Sequence, residues 1–63
     1  MTANGVTTVY LVDDQAMIRA AMRSMLNDQE AFNVVGENAD GRKAAEEVAE
    51  LRPDVLLLSL IHI

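Results

Sequence analysis

Val9-Tyr10-Leu11-Val12-Asp13-Asp14-Gln15 is the stretch that decides how this chain reads. An apolar run containing two β-branched residues stops at adjacent carboxylates and gives way to a pattern of helical period. Because the run is continuous rather than alternating, it reads as a strand covered on both faces, as in a parallel sheet. The acids then fall at the strand's carboxyl end, which is where open α/β sheets bind ligands. Two readings of the pair stand side by side at this point. Asp14 caps the following helix while Asp13 is a solvated loop acid, or the two carboxylates together form a site.

Outward from this strand, expected over residues 6–12, the chain has a simple order. Residues 1–5 are small and polar and read as a disordered tail. Beyond the acids, Ile18, Ala21, Met22, Met25 and Leu26 recur at helical spacing, with Arg19, Arg23 and Ser24 on the other face. The methionines of this helix read as core packing, not as a ligand-binding surface. Phe32-Asn33-Val34-Val35-Gly36 reads as a short second strand, and residues 36–41 carry turn chemistry, with Asp40 placed to cap a second helix. That helix, over residues 42–51, turns Ala44, Ala45, Val48, Ala49 and Leu51 to one side and leaves Glu46, Glu47 and Glu50 in solvent. Pro53 stops it, and a third strand is expected over residues 54–60.

Strands alternating with helices over short connections imply parallel strands and right-handed crossovers, hence spatial order 2-1-3 with a helix on each face. The reversal in strand order falls between strands 1 and 3, and the acid pair stands on its rim. Two carboxylates there repel unless a proton or cation intervenes. Hard oxygen donors, few in number and leaving room for water and a phosphate, suit Mg²⁺. Neither a G-x-x-x-x-G-K-[ST] loop nor a G-x-G-x-x-G turn is present.

Bulk properties narrow the function classes. A chain of 63 residues is at most one small domain and buries only about 60% of the surface its unfolded form exposes. Without cysteine, no disulfide framework or Cys/His metal cluster supports the core. A net charge of −5 argues against this segment itself binding nucleic acid or an anionic membrane. Nothing resembles a signal peptide or a membrane span, so the sequence reads as cytoplasmic.

Val-Tyr-Leu-Val-Asp-Asp-Gln, the Ile18-Arg19 pair, Val-Val-Gly-Glu-Asn-Ala-Asp-Gly and Arg-Pro-Asp-Val-Leu-Leu-Leu, in that order, resemble the first half of a bacterial response-regulator receiver domain. The third and last blocks are similar to the NarL/LuxR-type branch. The resemblance covers residues 8–58 and implies a flavodoxin-like, doubly wound parallel α/β sheet truncated after β-α-β-α-β. It implies a phosphorelay switch rather than an enzyme. A sensor histidine kinase passes a phosphoryl group to an aspartate at the end of strand 3, with Mg²⁺ held in part by the acid pair. Asp14 would then be the direct metal ligand and Asp13 would orient through water. The parent would be a homodimer controlling transcription through a C-terminal DNA-binding domain that this chain lacks.

The chain departs from that pattern at its end. Ser59 stands where the phosphoacceptor aspartate is expected, so the fragment is not competent for aspartyl phosphorylation and, short of one carboxylate, holds Mg²⁺ at most weakly. Residues 58–63 resemble the translation of a transposase end used in preparing sequencing libraries. Residues 6–58 are therefore read as a partial receiver domain and 59–63 as a non-native tail, in which His62 is incidental. The open, uncharged run at residues 55–63 predicts poor solubility. Two rivals stand beside the switch: a Mg²⁺-dependent phosphohydrolase or phosphotransferase fragment, and a receiver-like interaction domain that never uses phosphate.

Overall fold

The computed structural model describes residues 5–59. Of the tails expected over residues 1–5 and 59–63, residues 1–4 and 60–63, with His62, lie outside the described residues. Element order is β1 (Thr7–Val12), α1 (Ala16–Asn27), β2 (Phe32–Asn38), α2 (Gly41–Leu51) and β3 (Val55–Leu58). The strands form one three-stranded sheet of order β2-β1-β3 with both pairings parallel. This is the expected doubly wound arrangement, with β1 central. Val9, Tyr10, Leu11 and Val12 are all 3% exposed or less, as a strand covered on both faces requires.

Alternation along β3 shows that the helices lie on opposite faces. Leu57 shares a groove with Met22, Met25 and Leu26 of α1, whereas Leu56 and Leu58 share one with Ala45, Val48 and Ala49 of α2. Successive strand residues point to opposite sides, so the two grooves lie on opposite sides of the sheet. Every residue of β3 is exposed, and among the described residues its outer edge is unpaired. The start of β3 is clamped to β1 by a reciprocal contact: the Asp54 N–H donates to Thr8 Oγ1 at 2.9 Å, and the Thr8 N–H and hydroxyl donate to Asp54 Oδ2 at 2.8 and 3.0 Å.

Several sequence-based expectations need correction. The second strand, expected to end at Gly36, runs on through Glu37 and Asn38, which had read as part of a turn. The register explains it. Val9 pairs with Val34 but Tyr10 with Gly36, so Val35 is the extra residue of a bulge. That bulge brings Gly36 against the Tyr10 ring, where a Cβ would stand 2.6 Å from Cε2. Any side chain there overlaps the ring, so the glycine serves a close approach and not a turn. Glu47 is not simply a solvated acid, because it accepts a hydrogen bond from the Tyr10 hydroxyl. This ties α2 to the central strand beside the small core of Tyr10, Val12, Ala44 and Val48.

The methionine stripe of α1 is only partly packed. Ile18, Met22 and Leu26 are half-buried, but Met17 is 87% and Met25 64% exposed. Helix α1 packs on β2 and β1, so a stripe wide enough to reach β3 overhangs a sheet edge. The third strand spans Val55–Leu58, and the last residue of its expected range, 60, lies outside the described residues. Asp40 caps α2 as the sequence predicts, its Oδ1 accepting the Arg42 N–H at 2.8 Å.

Candidate functional site

The acid pair sits where β1 ends, and its members differ sharply. Asp13 is buried, 1% exposed, while Asp14 is exposed. Neither helix-cap nor solvated-loop reading survives. The N-cap of α1 is Gln15, with no side-chain cap hydrogen bond, and Asp13 is among the most buried side chains described. Asp13 Oδ1 accepts the Gln15 N–H at 2.7 Å, which turns the chain from strand into helix as an Asx-type turn. Asp13 Oδ2 is buried and has no hydrogen-bond partner among the described residues. A buried carboxylate oxygen left unpaired is costly, and this cost is relieved by a cation or a proton donor.

Ser59 comes to the same level. Its N–H donates to Val12 O at 2.9 Å, continuing the ladder in which Val12 pairs with Leu58. One further step of that parallel register sets Ser59 beside Asp13. The structure therefore brings together the sequence-predicted residues Asp13, Asp14 and Ser59 at the carboxyl ends of the two strands that flank the reversal in strand order. Among the described residues no group of three or more His, Cys, Asp or Glu side chains gathers where it would hold a metal. The donor set is two carboxylates and a hydroxyl, all hard oxygen donors of the kind Mg²⁺ prefers.

Sequence reasoning missed what holds Asp13 in place. Arg19, expected on the outer face of α1, reaches back so that its Nη1 donates to Asp13 O at 2.7 Å, while its Nε donates to Glu37 Oε1 at 3.3 Å. Arg23 Nη1 meets the other oxygen of Glu37 at 2.6 Å. The Asp13 N–H in turn donates to Asn38 O at 3.2 Å. A signal was present in the sequence. A guanidinium near the N-terminus of a helix opposes the helix dipole, and such a residue needs a specific partner to offset the mismatch.

Two other groups shift their protonation. Burial, reinforced by the bond to Glu47 and that residue's charge, pushes the Tyr10 hydroxyl up to about 12. The Thr8 N–H and hydroxyl hold the Asp54 carboxyl below the usual carboxylate range. Both groups belong to the scaffold and neither contacts the acid pair.

With this geometry in place, comparison with known proteins gives a consistent answer. The response regulator receiver domain family matches residues 9–61. Protein-glutamate methylesterase/protein-glutamine glutaminase 3 of Paramagnetospirillum magneticum is 43% identical over 60 residues, covering 95% of this chain and 17% of that protein. The corresponding enzyme 5 of Myxococcus xanthus is 46% identical, covering 97% of this chain and 18% of its own length. Response regulator protein VraR of Staphylococcus epidermidis is 43% identical over 53 residues, covering 84% of this chain and 25% of the regulator. The chain thus spans a quarter or less of the length of these relatives. No solved structure is matched. A central strand ending in a buried and an exposed aspartate, a 2-1-3 parallel order and a family match over most of the chain converge: this chain belongs to the response regulator receiver domain family of two-component signalling.

Proposed function

We propose that residues 6–58 are the N-terminal part of the receiver domain of a NarL/LuxR-type transcriptional regulator, and that Asp13 and Asp14 are its Mg²⁺ ligands. The observation that carries this reading is the buried Oδ2 of Asp13, without a hydrogen-bond partner among the described residues, beside the exposed Asp14 at the end of β1. The exposed carboxylate is free to bind a cation directly, while the buried one orients it through water. A divalent cation bound there offsets the charge of a transferring phosphoryl group. The protein's part is positioning: β1 and β3 end side by side, so an acceptor at position 59 stands next to both acids. The kinase partner, the homodimer and the transcriptional output belong to the parent protein.

Position 59 determines what this chain does by itself. A serine hydroxyl yields a phosphate ester and not the acyl phosphate made on an aspartate, and it supplies no third carboxylate for the cation. The 63-residue chain is accordingly a signalling fragment that is not switched by aspartyl phosphorylation, and residues 59–63 are read as a non-native tail. The NarL/LuxR-type blocks of the sequence favour a DNA-binding output. The resemblance to the methylesterases favours a second reading, in which the output domain of the parent acts on protein glutamate side chains.

Sequencing the encoding locus through codon 59 and beyond tests the proposal. An aspartate codon at 59 with an open frame is expected. A helix-turn-helix downstream supports the transcriptional reading and an esterase domain the second. Genomic codons for Ser59 through Ile63 followed by a native stop would overturn the truncation. A Mg²⁺ titration of the chain, followed through the backbone amides of Asp13 and Asp14, tests the cation site; the absence of any shift would refute it.

A further inference from the structure

The geometry points to Arg19, braced by Glu37, as the positioning residue that sets the peptide between the two acids and so presents Asp13 and Asp14 to one cation. The inference rests on the Mg²⁺ reading above and assigns to it residues that contribute no ligand themselves. Three contacts make the case. Arg19 Nη1 donates to the carbonyl oxygen of Asp13 at 2.7 Å, which is short for an N–H···O bond and charge-assisted. Arg19 Nε is held by Glu37 Oε1 at 3.3 Å, and Glu37 Oε2 is held by Arg23 at 2.6 Å. Glu37 itself is anchored in β2, opposite Leu11 of the central strand.

The consequence for the acids comes from peptide planarity. The carbonyl of Asp13 and the N–H of Asp14 lie in one rigid plane, so fixing the direction of the carbonyl fixes where the chain of Asp14 departs. The other side of Asp13 is fixed too, by its N–H on Asn38 O and its Oδ1 on the Gln15 N–H. With those bonds made, the direction of the exposed Asp14 relative to the buried Asp13 depends on the one plane that Arg19 holds. Arg19 is also screened from solvent: its side chain is 17% exposed, against 48% for Arg23. A plain surface ion pair would not need a second bond to a carbonyl.

Charge and position make opposite demands here, which gives the test its edge. Removing a cationic side chain near a cation site strengthens cation binding if only electrostatics operates. Losing an orienting group weakens it, typically by ten- to a hundred-fold. The measurement is Mg²⁺ affinity of the ¹⁵N-labelled 63-residue chain, read from the amides of Asp13, Asp14 and Gln15, with the amides of Val9 and Val34 reporting the fold. Arg19→Gln is expected to weaken binding about tenfold and to move the Asp14 amide even without Mg²⁺. Arg23→Gln removes the same charge without touching the carbonyl, and because Arg19 still holds Glu37 through Nε it is expected to leave binding as tight or tighter.

Binding by Arg19→Gln as tight as, or tighter than, that of the unaltered chain overturns the inference, as does an equal loss in Arg23→Gln. If Arg19→Gln does not fold, the paired substitution Glu37→Gln with Arg23→Gln decides, since it removes the brace at constant net charge. Weaker Mg²⁺ binding is then the expected result, and unaltered affinity overturns the inference. An unaltered chain that binds no Mg²⁺ refutes the cation site and the brace together, whereas a chain that binds Mg²⁺ indifferently to Arg19 refutes the brace alone.

Discussion

Gly36→Ala pits a general rule against a specific contact. On backbone grounds an alanine inside a strand or helix is favoured over glycine by about 0.5–1 kcal/mol, because glycine loses more conformational freedom on folding. At this position the added Cβ would stand 2.6 Å from Cε2 and 2.9 Å from Cδ2 of Tyr10, and 3.3 Å from Cδ1 of Leu51. Carbon atoms pack at about 3.5–4.0 Å, so the overlap with the ring is about 1 Å. Leu51 lies at a helix end and can give way. Tyr10 has little freedom to do so, being fully buried on the central strand with its hydroxyl tied to Glu47.

Overpacking of a core costs about 1–3 kcal/mol; against a ring that cannot move aside the cost falls in the upper part of that range, about 2–3 kcal/mol, and the backbone gain leaves a net loss of about 1–2.5 kcal/mol. For so small a domain that loss is a large share of the total stability. Tyr10 is the only tyrosine and there is no tryptophan, so intrinsic fluorescence reports on this contact during urea denaturation. The midpoint is expected to fall. Gly36→Ala combined with Tyr10→Leu, followed by circular dichroism, should show a favourable coupling because the ring that clashes is gone. A Gly36→Ala chain as stable as the parent would refute the claim that the bulge places this glycine for the ring.

The remaining predictions concern charge. Because the folded-state pKa of Tyr10 is raised from 10.0 to about 12, its contribution is fully present below about pH 10 and lost as pH rises toward 12; denaturation midpoints across that range should fall in the parent and stay flatter in Tyr10→Phe. Asp54 shifts the other way, so its contribution is present above the ordinary carboxylate range and lost as pH falls below about 4; Asp54→Asn should flatten the acid limb of the stability profile. Ser59→Asp introduces a third carboxylate and is expected to raise Mg²⁺ affinity about tenfold or more by calorimetry, while lowering stability in chelator through repulsion from Asp13. Leu58→Lys, at a β3 position 55% exposed, should raise the concentration at which the chain scatters light, since charge on an edge strand discourages edge pairing; unchanged aggregation would show that β3 is not the sticky element.

Most of the architecture was legible because it rests on local pattern. An apolar run, a helical stripe, a capping aspartate and a proline stop fix five elements in order, and handedness and strand adjacency then leave little choice of topology. The expectations that failed depend on contacts between residues far apart in sequence. Gly36 reads as a turn until the Tyr10 ring is known to lie against it, and Glu47, exposed as expected, gives no sign in the sequence of the bond it accepts from the Tyr10 hydroxyl. Neither periodicity nor propensity encodes so distant a partner.

The acid pair shows the same limit inside the site. Adjacent aspartates are chemically identical in the sequence, and a strand that ends between them does not say which stays buried. The structure breaks the symmetry by continuing the β1 ladder one step: the Asp13 N–H still bonds to Asn38 in β2, so Asp13 belongs to the sheet and is buried with it, while Asp14 falls beyond the last pairing and is exposed. One residue of register therefore converts a repeated letter into two roles, an inner carboxylate held with one oxygen unpaired and an outer one open to solvent. The same step decides which carbonyl Arg19 must hold. Moving the end of the β1–β2 pairing by one residue would bury the other aspartate and leave Arg19 without its acceptor, so the brace and the division of labour between the acids stand or fall on the same hydrogen bond.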